Sequence, residues 1–259
     1  MADTYSQIAT DSRRKVLDLI YKAQTSHIGS NFSCAEIMAV IFGEMDLSKD
    51  VFILSAGWKA AMLYYHLHRL GKITDAELDS YCQPGSKFIG LTEPVIPEIK
   101  IAGGSMGLGL PGAVGIALAK KISKQEGRVF VLMSDGEMAI GTTWESALIA
   151  KHHKLDNLVV IVDNNGFQAM GETRDVLDVA PIDDKWRSFG WEVSLVDGHN
   201  ADVLKDSMNL PTYRNWPFIV LASTTKGKGV SFMEDNNLYH YKQLNESEYN
   251  NAKHELWEK

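Results

Sequence analysis

Residues 128–171 read RVFVLMSDGEMAIGTTWESALIAKHHKLDNLVVIVDNNGFQAMG, and this stretch decides the fold. The apolar runs at 128–133 and 158–162 have the length of buried strands, and residues 142–153 between them are typical of a helix. Strand, helix and strand in this order predict a βαβ unit with two parallel strands. Because neither run alternates with polar residues, we expect a sheet that is covered on both faces.

The same alternation extends to both sides of this unit. Further strands are predicted at 51–55, 191–196 and 218–222, and further helices at 4–24, 58–70 and 113–122. After a break at 25–31, Ser33 and Glu36 have the spacing of a capping box, which predicts that another helix begins there. We therefore predict a single α/β domain over residues 1–259. It would have a doubly wound, mostly parallel sheet with helices on both faces, a helical N-terminal lead and an irregular C-terminal tail at 226–259.

Composition limits the classes of protein that this chain fits. The 259 residues are 45% hydrophobic and 23% charged, which is ordinary for a globular domain and excludes disorder, collagen and coiled coil as the main state. The formal net charge of −7 argues against a nucleic-acid partner. Two cysteines cannot form a disulfide framework, and we find neither a signal peptide nor an apolar run of about 18–20 residues. We expect a soluble, cytoplasmic protein with no membrane association.

Two polar side chains follow the ends of the two strands in the βαβ unit. Asp135 comes directly after the first strand, and Asn165 follows the second. Because the carboxyl ends of parallel strands lie at one edge of a sheet, where open α/β sheets bind ligands, we expect the two side chains to converge. A carboxylate, an amide oxygen and a backbone carbonyl form an oxygen-only set, which suits Mg²⁺ or Ca²⁺. Gly136 would let a phosphate approach the backbone there.

Two simpler interpretations stay open at this point. Asp-Gly and Asn-Gly dipeptides are common in turns, so either turn alone indicates nothing more. Residues 107–112 (GLGLPG) match G-x-G-x-x-G literally, which would indicate a nicotinamide-binding oxidoreductase. The strand before this run is poor, however, and Pro111 stands where a helix would start, which favours a helix-capping loop.

The motifs together resemble the thiamine diphosphate-binding part of transketolases. The fingerprint is an (S/G)-D-G-E turn followed by D-N-N, as at 134–137 and 163–165. In chain order the resemblance extends to TSHIGSNFSCAEIM (25–38), VFILSAGWKAAMLYYHL (51–67), GGSMGLGLPGAVGIALA (103–119) and KGKGVSFMED…YHY (226–241). It covers almost the whole chain. It implies the N-terminal, diphosphate-binding subunit of a split transketolase, with thiamine diphosphate and Mg²⁺ (or Ca²⁺) as cofactors.

At the diphosphate end of the cofactor, the resemblance implies roles for residues of the two turns. Asp135 and Asn165 would ligate the metal, with the carbonyl of Phe167 as a third ligand. Gly136 would contact the diphosphate. Glu137, in the same turn, is expected to stabilise the turn rather than to act in catalysis.

At the reacting end, the resemblance implies contacts from four other segments. Gly104 and Met106 would contact the pyrimidine side of the cofactor through backbone groups. His27 and His240 would face the reacting centre, where an imidazole that titrates near neutral pH suits acid–base work. Glu145, in the 142–153 helix, would lie toward a partner chain.

Three positions depart from the family pattern. Trp58, beside the cofactor, stands where the family has a histidine near the diphosphate and the substrate. Residues 90–94 (GLTEP) lack the histidine that helps to bind a hydroxyl of the ketose donor, and Ile140 replaces a glutamate of a carboxylate network across the dimer. A site built for a hydroxyl loses much when its hydrogen-bond partner is missing. We therefore expect an altered substrate.

The resemblance leads to a functional expectation with alternatives. The chain would act with a C-terminal, pyrimidine-domain transketolase subunit in an α2β2 heterotetramer, and would be inactive alone. The complex would transfer a two-carbon ketol unit between sugar-like ketose and aldose substrates, with the cofactor as the reagent and the protein as its holder. The alternatives are acetyl (acyloin) transfer from a pyruvate-like 2-oxo acid, a nicotinamide-binding oxidoreductase, and a non-catalytic partner that keeps only the fold.

Overall fold

Five parallel strands form the sheet in the residues that the computed structural model describes, which are 4–209 and 215–258. The strands are β1 (Val51–Leu54), β2 (Val129–Ser134), β3 (Leu158–Asn164), β4 (Glu192–Asp197) and β5 (Phe218–Ser223). Their order is β1-β2-β3-β5-β4, and each neighbouring pair is parallel. Val131 of β2 pairs with Val160 of β3, which confirms the βαβ unit predicted at 128–171.

Helices surround this sheet. In the described ranges they are α1 (Tyr5–Ala23), α2 (Ile28–Ser33), α3 (Ala35–Glu44), α4 (Ala60–Arg69), α5 (Asp75–Asp79), α6 (Gly109–Ile122), α7 (Gly141–His152), α8 (Thr173–Leu177), α9 (Ile182–Ser188), α10 (Ala201–Met208) and α11 (Glu246–Trp257). Short 3-10 helices are present at Gly57–Lys59, Asp135–Ala139 and Asn237–His240. Among the helices described, none combines the length and the apolar character needed to cross a bilayer.

Alternate residues of the strands face two separate apolar layers. Phe130 and Val159 pack with α1, α3 and α4 on one face of the sheet, whereas Val131 and Val160 pack with α6 and α7 on the other. All four side chains are buried. Burial on both faces explains why these strands read as uninterrupted apolar runs, and it confirms the doubly wound fold.

The C-terminal tail is not irregular throughout, contrary to the expectation for residues 226–259. Helix α11 begins with a capping box, in which the Asn245 side chain accepts from the Glu248 N–H and the Glu248 carboxylate accepts from the Asn245 N–H. The apolar pattern did not indicate this helix because Ala252 and Leu256 are its buried residues, and two positions are too few for a helical period.

The helix start expected at Ser33 is also wrong, and the break expected before it contains the short helix α2. Helix α3 follows Cys34, whose side chain makes no capping hydrogen bond. Ser33 instead donates to the Asp163 carboxylate at 2.6 Å, and Glu36 accepts hydrogen bonds from Arg13. Ser33 and Glu36 therefore form hydrogen bonds with Asp163 and Arg13, two buried charged residues from distant parts of the chain, and not with each other's backbone as in a capping box.

Glu137 stabilises the turn after β2, as expected. Its carboxylate is buried and accepts hydrogen bonds from the Ser134 N–H at 2.8 Å, the Gly107 N–H at 3.1 Å and the Ser55 hydroxyl. The three donors lie at the end of β2, in the glycine run and after β1. Burial raises the pKa of Glu137. One side chain therefore joins three segments at the carboxyl edge of the sheet.

His66 on α4 gives a first prediction, because both nitrogens of this buried ring lack a hydrogen-bond partner among the described residues. His66→Leu removes two unsatisfied polar atoms and should raise the free energy of unfolding by about 1–2 kcal/mol at pH 7. The measurement is the urea midpoint at unchanged m value. His68→Leu, a partly exposed position on the same helix, is the control and should change stability by less than about 0.5 kcal/mol.

The same histidine predicts a pH dependence. Burial, followed by the charge of Arg69, lowers the pKa of His66 from 6.5 to about 3. The unfolded chain therefore binds a proton below pH 6.5 that the native state takes up only near pH 3, so wild-type stability should fall as the pH drops through this window. The slope should be shallower for His66→Leu. Equal slopes, or a less stable variant at pH 7, would contradict this account.

Glu137 gives a second prediction about stability. Glu137→Ala leaves the three donors of that carboxylate buried without an acceptor, and should lower the free energy of unfolding by about 3 kcal/mol or more. Glu137→Gln keeps an acceptor oxygen and should lose less. Glu145→Ala, at an exposed position, should stay within about 0.5 kcal/mol of the wild type. Chemical denaturation of the three variants tests the order, and equal stability of Glu137→Ala and the wild type would refute it.

Candidate functional site

The structure brings the turns after β2 and β3 together. The Oδ1 atom of Asp135 accepts from the Gly136 N–H at 2.8 Å. Its Oδ2 atom accepts from the Gly166 N–H at 2.8 Å and from the Thr173 hydroxyl at 3.1 Å. One buried carboxylate therefore links the turn at the end of one strand to the turn at the end of its neighbour.

Asn165 is fixed in orientation within the second turn. Its Nδ2 atom donates to Asp163 Oδ2 at 3.2 Å, and its Oδ1 atom accepts from the Phe167 N–H at 3.0 Å. An amide oxygen has two lone pairs, so Oδ1 keeps one that is free to bind a cation.

A cavity of about 370 Å³ opens at this edge of the sheet, within the range of small-molecule sites. Eight of the ten residues singled out in the sequence line it: His27, Trp58, Gly104, Met106, Gly136, Asn165, Phe167 and His240. The other two do not. Asp135 borders a neighbouring depression, and its carboxylate accepts a hydrogen bond from the backbone N–H of Gly136. Glu145 is exposed on α7.

The donor set of the two turns fits a divalent cation. Burial, followed by the charge of Asp163, raises the pKa of Asp135 to about 6. A cation bound beside Asp135 would offset both effects. The groups that the two turns offer are the carboxylate of Asp135, the amide oxygen of Asn165 and the carbonyl of Phe167. Such oxygen-only sets suit Mg²⁺ or Ca²⁺.

A buried amide beside Gly136 fits an anionic group. The Nε2 atom of Gln168 is buried without a hydrogen-bond partner among the described residues. Its side chain lies against Gly136, where an added Cβ would meet Gln168 Cγ at 3.2 Å. A buried donor without an acceptor calls for an explanation, and an oxygen of a bound phosphate would satisfy it.

His27 and His240 face each other at the cavity. Their ring centroids are 5.1 Å apart, and the backbone N–H of His27 donates to the backbone carbonyl of His240 at 2.8 Å. Burial, followed by the charge of Lys226, lowers the pKa of His27 to about 4 and that of His240 to about 3. Both imidazoles are therefore neutral near pH 7, and each has one nitrogen that donates and one that accepts.

The sequence reasoning missed two buried lysines beside these residues. Lys59 lines the cavity and forms a fully buried ion pair with Asp163, whose charge raises the pKa of Lys59 although burial opposes it. Lys226 donates to His240 Nδ1 at 2.9 Å and to Asn237 Oδ1 at 2.7 Å, and burial lowers the pKa of Lys226 to about 8. A lysine directly before an apolar helix was a signal for Lys59. Nothing in the sequence placed a carboxylate opposite it.

Part of the cavity lining, the apolar wall formed by Trp58 and Leu91, has apolar side chains. The Thr92 N–H donates to the Gly57 carbonyl at 3.2 Å, the Gly57 N–H to the Gly103 carbonyl at 3.1 Å, and the Gly103 N–H to the Thr92 carbonyl at 2.9 Å. These bonds bring three loops together at one corner of the cavity. The neighbouring residues Trp58 and Leu91 both line the cavity, so this wall presents an indole and an aliphatic side chain.

The glycines of 107–112 pack closely against protein atoms. A Cβ added at Gly109 would meet Ser55 at 2.4 Å, and one added at Gly107 would meet Ile140 at 2.3 Å. Helix α6 begins within this run. The run is therefore the close-packed start of a helix, as the position of its proline indicated, and not a nicotinamide-binding loop.

Comparison with known proteins agrees with this geometry. Residues 4–258 match the family described as transketolase, thiamine diphosphate binding domain. A subunit of the apulose-4-phosphate transketolase of Phocaeicola vulgatus is 31% identical over 258 residues, which cover 96% of this chain and 92% of that protein. The 6-deoxy-6-sulfo-D-fructose transketolase subunit SqwG of Clostridium sp. (strain MSTE9) is 31% identical over 257 residues, which cover 94% of this chain and 93% of that protein.

Solved structures agree as well. The transketolase from Campylobacter jejuni superposes with a TM-score of 0.90 at 26% identity, over 99% of this chain and 43% of that one. The chain thus spans less than half of the length of that transketolase. The fold and the family expected from the sequence are both confirmed. The chain belongs to the transketolase family, as a member of its thiamine diphosphate-binding domain.

Proposed function

We propose that this chain is the diphosphate-binding subunit of a split, transketolase-type transferase, which transfers a two-carbon ketol unit between ketose and aldose substrates. One observation carries the proposal: eight candidate residues line a single cavity at the sheet edge where the turns of Asp135 and Asn165 meet. Two relatives that are themselves named transketolase subunits match over 92% and 93% of their length, which supports a separate subunit.

The residues of the two turns would hold the cofactor at its diphosphate end. Asp135, Asn165 and the Phe167 carbonyl would bind Mg²⁺ or Ca²⁺, and Gly136 and Gln168 would contact the diphosphate. The chemistry that thiamine diphosphate supplies when bound is a nucleophilic carbon for ketone cleavage and aldehyde addition. This chain contributes binding, orientation and counter-charge.

The remaining cavity residues would surround the reacting end. Trp58, Gly104 and Met106 would border the cofactor, the latter two through backbone groups. His27 and His240 are neutral near pH 7, so they would bind substrate oxygens there through hydrogen bonds, each ring with one nitrogen that donates and one that accepts. The presence of Asp135 and Asn165 in the two turns and of His27 and His240 at the cavity supports a catalytic subunit over a non-catalytic partner.

The apolar wall supports an altered substrate. Trp58 and Leu91 offer no acceptor for a hydroxyl, and the indole N–H is a donor only. We propose a sugar-like substrate with fewer hydroxyls on that side than a common pentose phosphate. The relatives named for apulose 4-phosphate and for 6-deoxy-6-sulfo-D-fructose support a specialised ketose. The same wall would also accept the methyl group of a pyruvate-like 2-oxo acid, so acetyl transfer is the second candidate.

Exposed apolar side chains around the cavity support a partner subunit. Met106, Met170 and Tyr241 line the cavity and are 41%, 83% and 62% exposed. Leu148 is 58% exposed on α7, the helix that also carries the exposed Glu145. Apolar patches of this kind mark interaction sites. We propose that a pyrimidine-domain subunit covers them in an α2β2 complex, through interfaces above about 2,000 Å².

Two unpaired cysteines support a cytoplasmic location.

Asp135→Ala tests the metal site. The change removes a carboxylate ligand, so the complex with the partner subunit should bind thiamine diphosphate at least about 100-fold more weakly in the presence of Mg²⁺, as measured by isothermal titration calorimetry. Asp156→Ala removes a carboxylate at the opposite edge of the sheet and should bind as the wild type does. Unchanged affinity of Asp135→Ala would rule out the proposed ligand set.

A reconstitution assay tests the split architecture and the substrate. The purified chain alone should be inactive, and addition of a cognate pyrimidine-domain subunit should restore turnover. Xylulose 5-phosphate, hydroxypyruvate and pyruvate are compared as donors, and xylulose 5-phosphate should have a kcat/KM at least about tenfold below that of the best of them. Full activity of the single chain would disprove the split enzyme. Equal or better use of xylulose 5-phosphate would disprove the altered substrate.

A further inference from the structure

Two buried residues, Arg13 and Glu36, and the partly buried His199 form a triad of side chains outside the cavity. The guanidinium of Arg13 on α1 donates to both carboxylate oxygens of Glu36 on α3, at 2.6 Å each. The Nδ1 atom of His199 contacts Glu36 Oε2 at 2.9 Å. None of the three residues lines the cavity. Although burial opposes it, the hydrogen bond from His199 and the charge of Arg13 hold the pKa of Glu36 at about 2.

The contacts of His199 define its tautomer. The Thr225 N–H donates to His199 Nε2 at 2.8 Å, so Nε2 has to be an acceptor. The proton of the neutral ring is therefore on Nδ1, which donates to Glu36. His199 thus bridges a carboxylate on α3 and a backbone N–H that follows β5, and it uses both nitrogens to do so.

The first arm of the triad leads to His240. Thr225, held by His199, directly precedes Lys226 in the chain. The ammonium of Lys226 contacts His240 Nδ1 at 2.9 Å, and the Gly227 N–H donates to the Gly29 carbonyl at 2.9 Å. A displaced Thr225 would therefore move the lysine that holds the ring of His240.

The second arm leads to His27. The Nε and NH2 atoms of Arg13 donate to the Phe32 carbonyl at 3.2 and 3.0 Å, which anchors the C-terminal turn of α2. His27 is the N-cap of the same helix, which is only six residues long, and we expect a shift of its last turn to reach His27. The two arms meet at the hydrogen bond from the backbone N–H of His27 to the backbone carbonyl of His240.

We propose that Arg13, Glu36 and His199 are positioning residues that set the relative placement of His27 and His240, with His199 as the element that joins the two arms. The importance of this placement for turnover rests on the proposed function. Small displacements of reacting groups reduce rates strongly, so loss of this bridge should lower kcat by roughly 10- to 100-fold. Substrate affinity should change little, because the triad does not line the cavity.

Two substitutions of His199 test the proposal. His199→Phe keeps the volume but removes the donor and the acceptor, and Arg13 still pairs with Glu36, so the chain keeps its buried ion pair. His199→Gln keeps one donor and one acceptor. Asn157→Ala is the control, because it removes the hydrogen bond from Asn157 to the Ala117 carbonyl at the opposite edge of the sheet. If His199→Phe does not fold, His199→Ala takes its place.

Nuclear magnetic resonance of the full chain reads out the position of the two rings directly. The imidazole signals of His27 and His240, assigned with single substitutions of each, should shift in His199→Phe and return toward the wild-type positions in His199→Gln. Asn157→Ala should leave them unchanged. Unshifted signals in a folded His199→Phe, or a His199→Gln spectrum that equals that of His199→Phe, would overturn the proposal.

Kinetics of the reconstituted complex give the second readout. His199→Phe should lower kcat by about 10- to 100-fold while KM for the donor stays within about threefold, and His199→Gln should recover most of kcat. An active wild-type complex with an unchanged His199→Phe variant would refute the inference alone. A wild-type complex that turns over none of the three donors would refute the proposed function instead, and the resonance shifts would still decide whether His199 positions the rings.

Discussion

The buried carboxylate of Asp163 holds the functional edge of the sheet together. It accepts hydrogen bonds from Ser33 at the end of α2, from Lys59 before α4 and from Thr224 after β5. Removal of either member of the buried Lys59–Asp163 pair would leave an uncompensated charge, which destabilises a protein by about 3–5 kcal/mol. The amide of Asn165 takes its orientation from the same carboxylate. The cavity therefore depends on this pair for its shape as well as for its charge.

The sequence was sufficient where rules of topology apply. Apolar runs of strand length, separated by a helix, require parallel strands whose ends share one edge, and this alone brought the turns of Asp135 and Asn165 together. The sequence was insufficient where contacts between distant residues determine the structure. Lys59 and Asp163 are 104 residues apart, and no local pattern pairs them. Helix α11 was missed for a related reason, since it is placed by packing on α1 and has little apolar periodicity of its own.

The charge states at the cavity also follow from placement rather than from residue type. A histidine in water titrates at about 6.5, which suggested acid–base chemistry from the sequence. Burial and the cation of Lys226 instead keep His27 and His240 neutral well below that pH. Burial, followed by the charge of Lys59, in turn lowers the pKa of Lys226 to about 8, and the hydrogen-bond partners of its ammonium are neutral oxygens and an imidazole nitrogen. The surroundings of these residues together determine their pKa values, and no single sequence motif predicts those values.

Under the proposed function, the apolar wall serves substrate choice and the polar part of the cavity serves cofactor binding. The groups that would hold the metal and the diphosphate lie on the turns after β2 and β3. His27 is the N-cap of α2, and His240 lies in the 3-10 helix at Asn237–His240. Trp58 lies in the 3-10 helix at Gly57–Lys59 and Leu91 lies in a loop, and backbone hydrogen bonds at Gly57 and Thr92 join the two segments. The backbone of this wall is tied to the histidine pair, because Asn31 Nδ2 donates to the carbonyls of both His27 and Trp58. It is also tied to the buried ion pair, because Lys59 directly follows Trp58. Under the proposed function, a change of substrate therefore falls to the side chains of this wall, while these contacts keep its backbone in place.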